Sequence, residues 1–151
     1  MVAMPELTDE SLEDFYRTLK RYQRQVQADQ RLPVPPADSV TVRSRLCGSA
    51  LTLDAVIAGG RVRQLGWSVR ACALGQACTA IVAEHLADLD EATVRRVGAQ
   101  LRAILGGERD TSDWPELALF ALVRDVPNRH GSVQLPFEAL RQLFERAREE
   151  G

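Results

Sequence analysis

Apolar residues recur along the chain first at spacings of three and four, then of two, then of three and four again, which predicts a helix, a set of strands and a helical second half. Over 7–28, Leu12, Phe15, Tyr16, Leu19 and Tyr22 share one helical stripe, with Thr8 or Asp9 as its cap. The far end, "RYQRQVQADQ", loses that stripe and is expected to fray. "LPVPPADS" (32–39) carries Pro33, Pro35 and Pro36, which lack an N–H donor and read as an extended connector. From Ser39 the period is two: Val40, Val42 and Ser44 alternate with Thr41, Arg43 and Arg45, then Leu51, Leu53, Ala55 and Ile57 with Thr52, Asp54 and Val56. Gly59 and Gly60 supply the positive φ angles of a hairpin turn into a third strand at 61–70. In that strand Val62 is out of phase with Leu65, Trp67 and Val69, so a bulge is expected near 63–65. A helix follows at about 75–87. Asp90 caps the next, with Val94, Val97, Leu101, Ile104 and Leu105 on one face and Gly106-Gly107 ending it. "DWPE" opens a helix running to about Val126, "VPNRHGSVQ" reads as a loop, and Pro136 starts a last helix through Phe137, Leu140, Leu143, Phe144 and Ala147.

The fold class is therefore α+β: an N-terminal helix, a three-stranded antiparallel sheet and a helical C-terminal half packed on it. At 151 residues and 45% hydrophobic, the chain reads as one domain over 1–151, with 1–38 as N-terminal helix and Pro-rich connector. A net charge of −2 and a pI of 5.7 give no basic field, so neither nucleic acid nor an anionic membrane is an expected partner. No run approaches the roughly 18 apolar residues of a membrane span, and "MVAMPELTDESLEDF" lacks the pattern of a signal peptide. A cytoplasmic location is expected. The odd cysteine count of 3 argues against a disulfide framework and leaves metal, catalysis or packing for these thiols.

Cys47 falls in the turn between the first two strands, beside Gly48, and Cys72 falls just past the third. Pairing through the double glycine sets 57 opposite 62 and 51 opposite 68, which returns Cys72 to the end of the sheet that carries Cys47. A thiol before a helix N-terminus is biased toward the thiolate that binds soft metal or attacks sulfur. Such a metal wants four ligands, and His130 in the loop between two helices is a third candidate. The bland alternatives are packing for each cysteine, Cys78 above all, a helix-end role for His130, a solvated surface position for His85, and core or edge packing for Trp67 and Trp114. A cysteine-hydrolase pair of Cys72 and His130 lacks an orienting acid, so the protein is not expected to be an enzyme.

This arrangement resembles the U-type iron–sulfur cluster assembly scaffolds, the IscU and SufU proteins and the N-terminal domain of NifU (SufE/NifU-like fold). "LCGS" (46–49) resembles their Cys-Gly-Asp motif, and "CALGQAC" (72–78) resembles the segment that carries their second cysteine into a helix. "PNRHGSVQLPFEAL" (127–140) resembles the SufU-type ending, with Arg129, Leu135, Ala139 and Leu140 in register. The resemblance implies a ligand set of three cysteines and an aspartate. Cys47 and Cys72 match two of them, whereas Ser49 stands at the aspartate position and Ser132 at the third cysteine. The Asn-Pro-Arg-Asn entry motif is absent.

What the resemblance implies for function is a scaffold-like protein that binds iron or a [2Fe–2S] cluster, with zinc as an alternative. The metal set would be Cys47 and Cys72 completed by His130 or Cys78. Partners would be a cysteine desulfurase, which supplies sulfur, and apo iron–sulfur client proteins. Ser132 replaces the cysteine implicated in sulfur acceptance, so Cys47 or Cys72 would take that role, with Arg129 docking the desulfurase or steadying an anionic persulfide. The competing reading is a degenerate scaffold acting as a non-assembling accessory or regulatory module that binds a desulfurase.

Overall fold

The computed structural model describes residues 9–150. Its elements are α1 (Asp9–Val26), β1 (Asp38–Arg43), β2 (Ala50–Ala58), β3 (Arg61–Arg70), α2 (Ala73–Glu84), α3 (Glu91–Leu105) and α4 (His130–Glu150), with 3₁₀ segments at Leu86–Asp88, Pro115–Val123 and Pro127–Arg129. The strands form one antiparallel sheet in the order β1-β2-β3. Thr8, one of the two expected caps, lies outside the described residues.

The alternation of β1 buries Val40, Val42 and Ser44 and exposes Thr41, Arg43 and Arg45. Gly59 and Gly60 adopt φ of 62° and 75° in the hairpin turn, a region that side chains with a Cβ avoid. Val56 pairs with Gln64 but Ile57 with Val62, so Arg63 is the extra residue of the expected bulge. That bulge corrects the anticipated register: Ile57 does face Val62, whereas Leu51 faces Val69 rather than Ser68. The inward face meets α4, α4 packs on α2, and α1 packs on α2.

Several boundaries differ from expectation for physical reasons. α1 buries Leu19, Tyr22 and Val26, so its far end is the anchored one, while Leu12 and Tyr16 face out. Pro136 lies inside α4, which begins at His130; burial of Ser132, Val133 and Leu135 holds the turn ahead of the proline helical. "DWPE" leads into a 3₁₀ segment rather than an α-helix.

The outward face of the sheet is partly covered by the connector. Gln30 pairs with Trp67 through N–H···O bonds of 2.9 and 2.8 Å. Arg31 then reaches Asp54 of β2, which is wholly buried and accepts from Arg31 Nε (2.7 Å), Ser39 Oγ (2.6 Å) and Leu32 N–H (3.0 Å). Gly66 makes this crossing fit, since a Cβ there would sit 2.6 Å from the Gln30 carbonyl oxygen.

Candidate functional site

Beyond the end of β1 the chain reverses tightly. The Ser44 N–H donates to the Ser49 carbonyl (2.8 Å), the Gly48 N–H to the Ser44 carbonyl (3.2 Å), and Gly48 takes φ of 71°. The turn sets Cys47 on the rim of the sheet, half-buried, beside Leu46, which is 74% exposed. β3 returns to that rim, and Cys72 is the N-cap of α2. The first turn of α4 supplies Ser132 from a third direction. Two glycines let these segments close up. A Cβ on Gly75 would lie 2.6 Å from Ser132 Oγ, and one on Gly131 would lie 2.8 Å from Ser44 Oγ.

The side chains form a continuous chain of contacts. Cys47 Sγ lies 3.2 Å from Ser49 Oγ, Ser132 Oγ donates to Ser49 Oγ at 3.1 Å, and Ser132 Oγ lies 3.4 Å from Cys72 Sγ. Ser49 Oγ also accepts from the Cys72 N–H (3.4 Å), and Ser44 Oγ is 3.3 Å from Cys47 Sγ. Ser49 and Ser132 are buried. Both thiols are tuned toward the thiolate. Burial opposes charge on Cys47, but hydrogen bonds from Ser44, Ser49 and Ser132 outweigh it and bring the pKa down to about 7. For Cys72 burial again opposes, and the Ser132 hydroxyl, the N–H groups of Gly75 and Leu74 and the charge of Arg129 carry the pKa below its ordinary value.

Cys47 and Cys72 therefore meet on one rim, but the wider donor set anticipated from sequence does not assemble, and this is a correction. Cys78 is wholly buried in the hydrophobic core, where burial alone pushes its thiol pKa up. It packs as a small apolar side chain. His130 is the first residue of α4 rather than a loop residue, and its Nε2 donates to the Val123 carbonyl at 2.8 Å. Among the described residues no three His, Cys, Asp or Glu side chains come together to hold a metal ion. Two thiols with neutral serine hydroxyls between them do not fit a resident four-coordinate metal.

Sequence reasoning missed Ser44, although its signal was present: a polar residue in phase with buried Val40 and Val42. It also placed His85 at a solvated surface, whereas the ring stacks on buried Trp114 with centroids 4.1 Å apart and is held between Asp88 and Glu116.

No family model matches the sequence, and no curated protein matches it. Solved structures do. The N-terminal domain of a nitrogen-fixing NifU-like protein from Brucella abortus superposes with a TM-score of 0.81 at 25% identity, covering 93% of this chain and 99% of that one. A protein of Fervidobacterium islandicum AW-1, assigned as an iron–sulfur cluster assembly scaffold for the SUF system, superposes with a TM-score of 0.74 at 16% identity, covering 84% of this chain and 93% of that one. The chain has the U-type scaffold fold.

Proposed function

We propose that this protein serves iron–sulfur cluster assembly as a non-enzymatic, U-type scaffold-like protein whose Cys47 and Cys72 accept sulfur from a cysteine desulfurase for onward delivery to apo client proteins. The observation that carries this reading is the convergence of Cys47 and Ser49 of the turn, Cys72 and Ser132, from three segments far apart in sequence, into one hydrogen-bonded chain at the rim. Two of the four keep a thiol, and both thiols are biased toward the form that attacks sulfur. The other two are hydroxyls, which stabilise a thiolate or an anionic persulfide by donating to it and hold a soft metal poorly. Sulfur chemistry is thus the half of scaffold function that these residues support. Iron or a [2Fe–2S] cargo would need donors from a partner.

The test is anaerobic incubation of the full chain with a cysteine desulfurase and cysteine, followed by peptide mass spectrometry of its thiols. Sulfur on Cys47 or Cys72, absent from the double alanine variant, supports the proposal; a chain that binds the desulfurase and gains no sulfur overturns it. That second outcome is the signature of the accessory-module reading, which the burial of Ser49 and Ser132 at two ligand positions favours. Metal analysis with an ultraviolet–visible spectrum, repeated for Cys72→Ala, reports whether iron or zinc is also held.

A further inference from the structure

We infer, on the basis of the sulfur-accepting role just proposed, that Cys47 is the thiol that receives sulfur first and that Ser44 is its positioning residue. Ser132 stands where the resemblance puts the accepting cysteine, and a hydroxyl cannot carry a persulfide. The sulfur must enter at another thiol. Cys78 is sealed in the core, and Cys72 is the more enclosed of the remaining two, set between buried Ser132 and the first turn of α2. Cys47 rides an exposed turn between Leu46 and Gly48, where a donor chain can reach it.

Ser44 is singled out by its hydrogen bonding. It is buried on the apolar phase of β1, and its only side-chain hydrogen bond among the described residues is to Cys47. Ser49, in contrast, is shared between Cys47, Ser132 and the Cys72 backbone. The backbone of Ser44 is pinned by its bonds to Ser49 and Gly48, and Gly131 leaves room above its hydroxyl. Cys47 is thereby gripped from two sides, by Ser44 and Ser49. In the transfer, the Cys47 thiolate attacks the outer sulfur of the donor's cysteine persulfide. A Cys47 Sγ–S bond forms as the donor's S–S bond breaks, the donor leaves as a thiolate, and the proton stays on the transferred sulfur. No external oxidant or reductant is consumed.

The test treats the full chain with limiting cysteine persulfide, a small-molecule donor, and follows sulfur on each thiol by mass spectrometry over time. Sulfur is expected on Cys47 first, and equally so in Cys72→Ala. In Ser44→Ala, Cys72 serves as the internal control. The lost hydrogen bond is worth about tenfold in the thiolate population, and about half of that logarithm returns as nucleophilicity of the more basic sulfur, so the Cys47-to-Cys72 ratio of initial rates should fall about threefold. Ser44→Thr should restore it. Sulfur on Cys72 first, an unchanged ratio in Ser44→Ala, or no recovery in a folded Ser44→Thr overturns this assignment and leaves the sulfur-accepting role standing. Sulfur on neither thiol, from this donor or from a desulfurase, overturns both.

Discussion

Placing at Ser49 and Ser132 the aspartate and cysteine that the resemblance implies for those positions is the sharpest test of whether this rim is a scaffold site. Two ligands each about 2.3 Å from one tetrahedral ion lie about 3.7 Å apart. The successive contacts Cys47–Ser49, Ser49–Ser132 and Ser132–Cys72 are 3.2, 3.1 and 3.4 Å, already close to that separation. The double variant Ser49→Asp, Ser132→Cys should therefore present three thiols and a carboxylate around one point. Four-ligand structural zinc sites are worth about 10–16 kcal/mol, so supplying the missing half adds on the order of 5 kcal/mol, more than a thousandfold in affinity. The free variant should be less stable than the parent, because both positions are buried and one now carries a carboxylate. Zinc should reverse that loss. At free zinc about a hundredfold above the variant's Kd, binding contributes about 2.7 kcal/mol, and Tm should rise by about 5–11 °C. Zinc titrations followed by calorimetry, with the same titration of the parent chain and of the variant carrying Cys72→Ala, measure this directly. A double variant that takes up no more zinc than the parent, with no zinc-dependent rise in Tm, would refute the claim that these four positions surround one site.

Alkylation of Cys47 should follow a sigmoid in pH with its midpoint near 7, below that of an ordinary thiol, while Cys78 should stay unmodified until the chain unfolds; quantitative mass spectrometry after iodoacetamide pulses checks both. Asp54→Ala should cost about 3 kcal/mol and lower Tm by about 6–12 °C, because it strands the half-buried Leu32 N–H and Ser39 hydroxyl, removes the buried partner of Arg31 and frees the connector, and a loss below about 1 kcal/mol in urea unfolding contradicts this. The hydrogen bonds from Arg31, Ser39 and Leu32 outweigh burial and hold the Asp54 carboxyl below its usual pKa, so its stabilising contribution is complete above about pH 4 and fades as pH falls through the lower folded-state value. Gly75→Ala should cost about 1–3 kcal/mol and slow modification of Cys72, since the new methyl would sit 2.6 Å from Ser132 Oγ and displace the hydroxyl that favours the Cys72 thiolate; unchanged Cys72 kinetics would contradict the packing.

The strands were legible because each has one buried face, which fixes the parity of Val40, Val42, Leu51 and Leu53, and because the phase error between Val62 and Leu65 can only be absorbed by an extra residue. The same logic brought Cys47 and Cys72 to one rim. What sequence did not disclose depends on contacts between distant segments. Asp54 reads as a surface position by alternation, and becomes a buried anchor because the connector crosses the outward face over Gly66. Pro136 reads as a helix start by its missing N–H, but a proline within a helix is tolerated when burial of the preceding turn, here Ser132 to Leu135, offsets the lost bond. His130 and Cys78 lie in the two segments that the resemblance marks as ligand-bearing, and nearness in sequence is all that recommends them as donors. Helix geometry aimed one into the core and bonded the other to Val123.

The serines decide how the site divides between metal and sulfur. In a metal site the ligating atoms turn lone pairs inward and carry no proton there. Here the space between the two thiols is bridged by O–H groups of Ser49 and Ser132 already bonded to one another, so an ion entering would have to break that chain and would gain two weak ligands in return. A persulfide asks for the opposite: one free thiolate to carry it and nearby donors to steady its terminal sulfur, with no further thiol required. On the proposed sulfur-accepting role, Ser49 and Ser132 thus supply the donors that sulfur acceptance uses, pre-arranged by the turn, helix N-terminus and glycine contacts that shape this rim. A protein built this way would take up sulfur alone and would hold iron only in the company of a partner's donors.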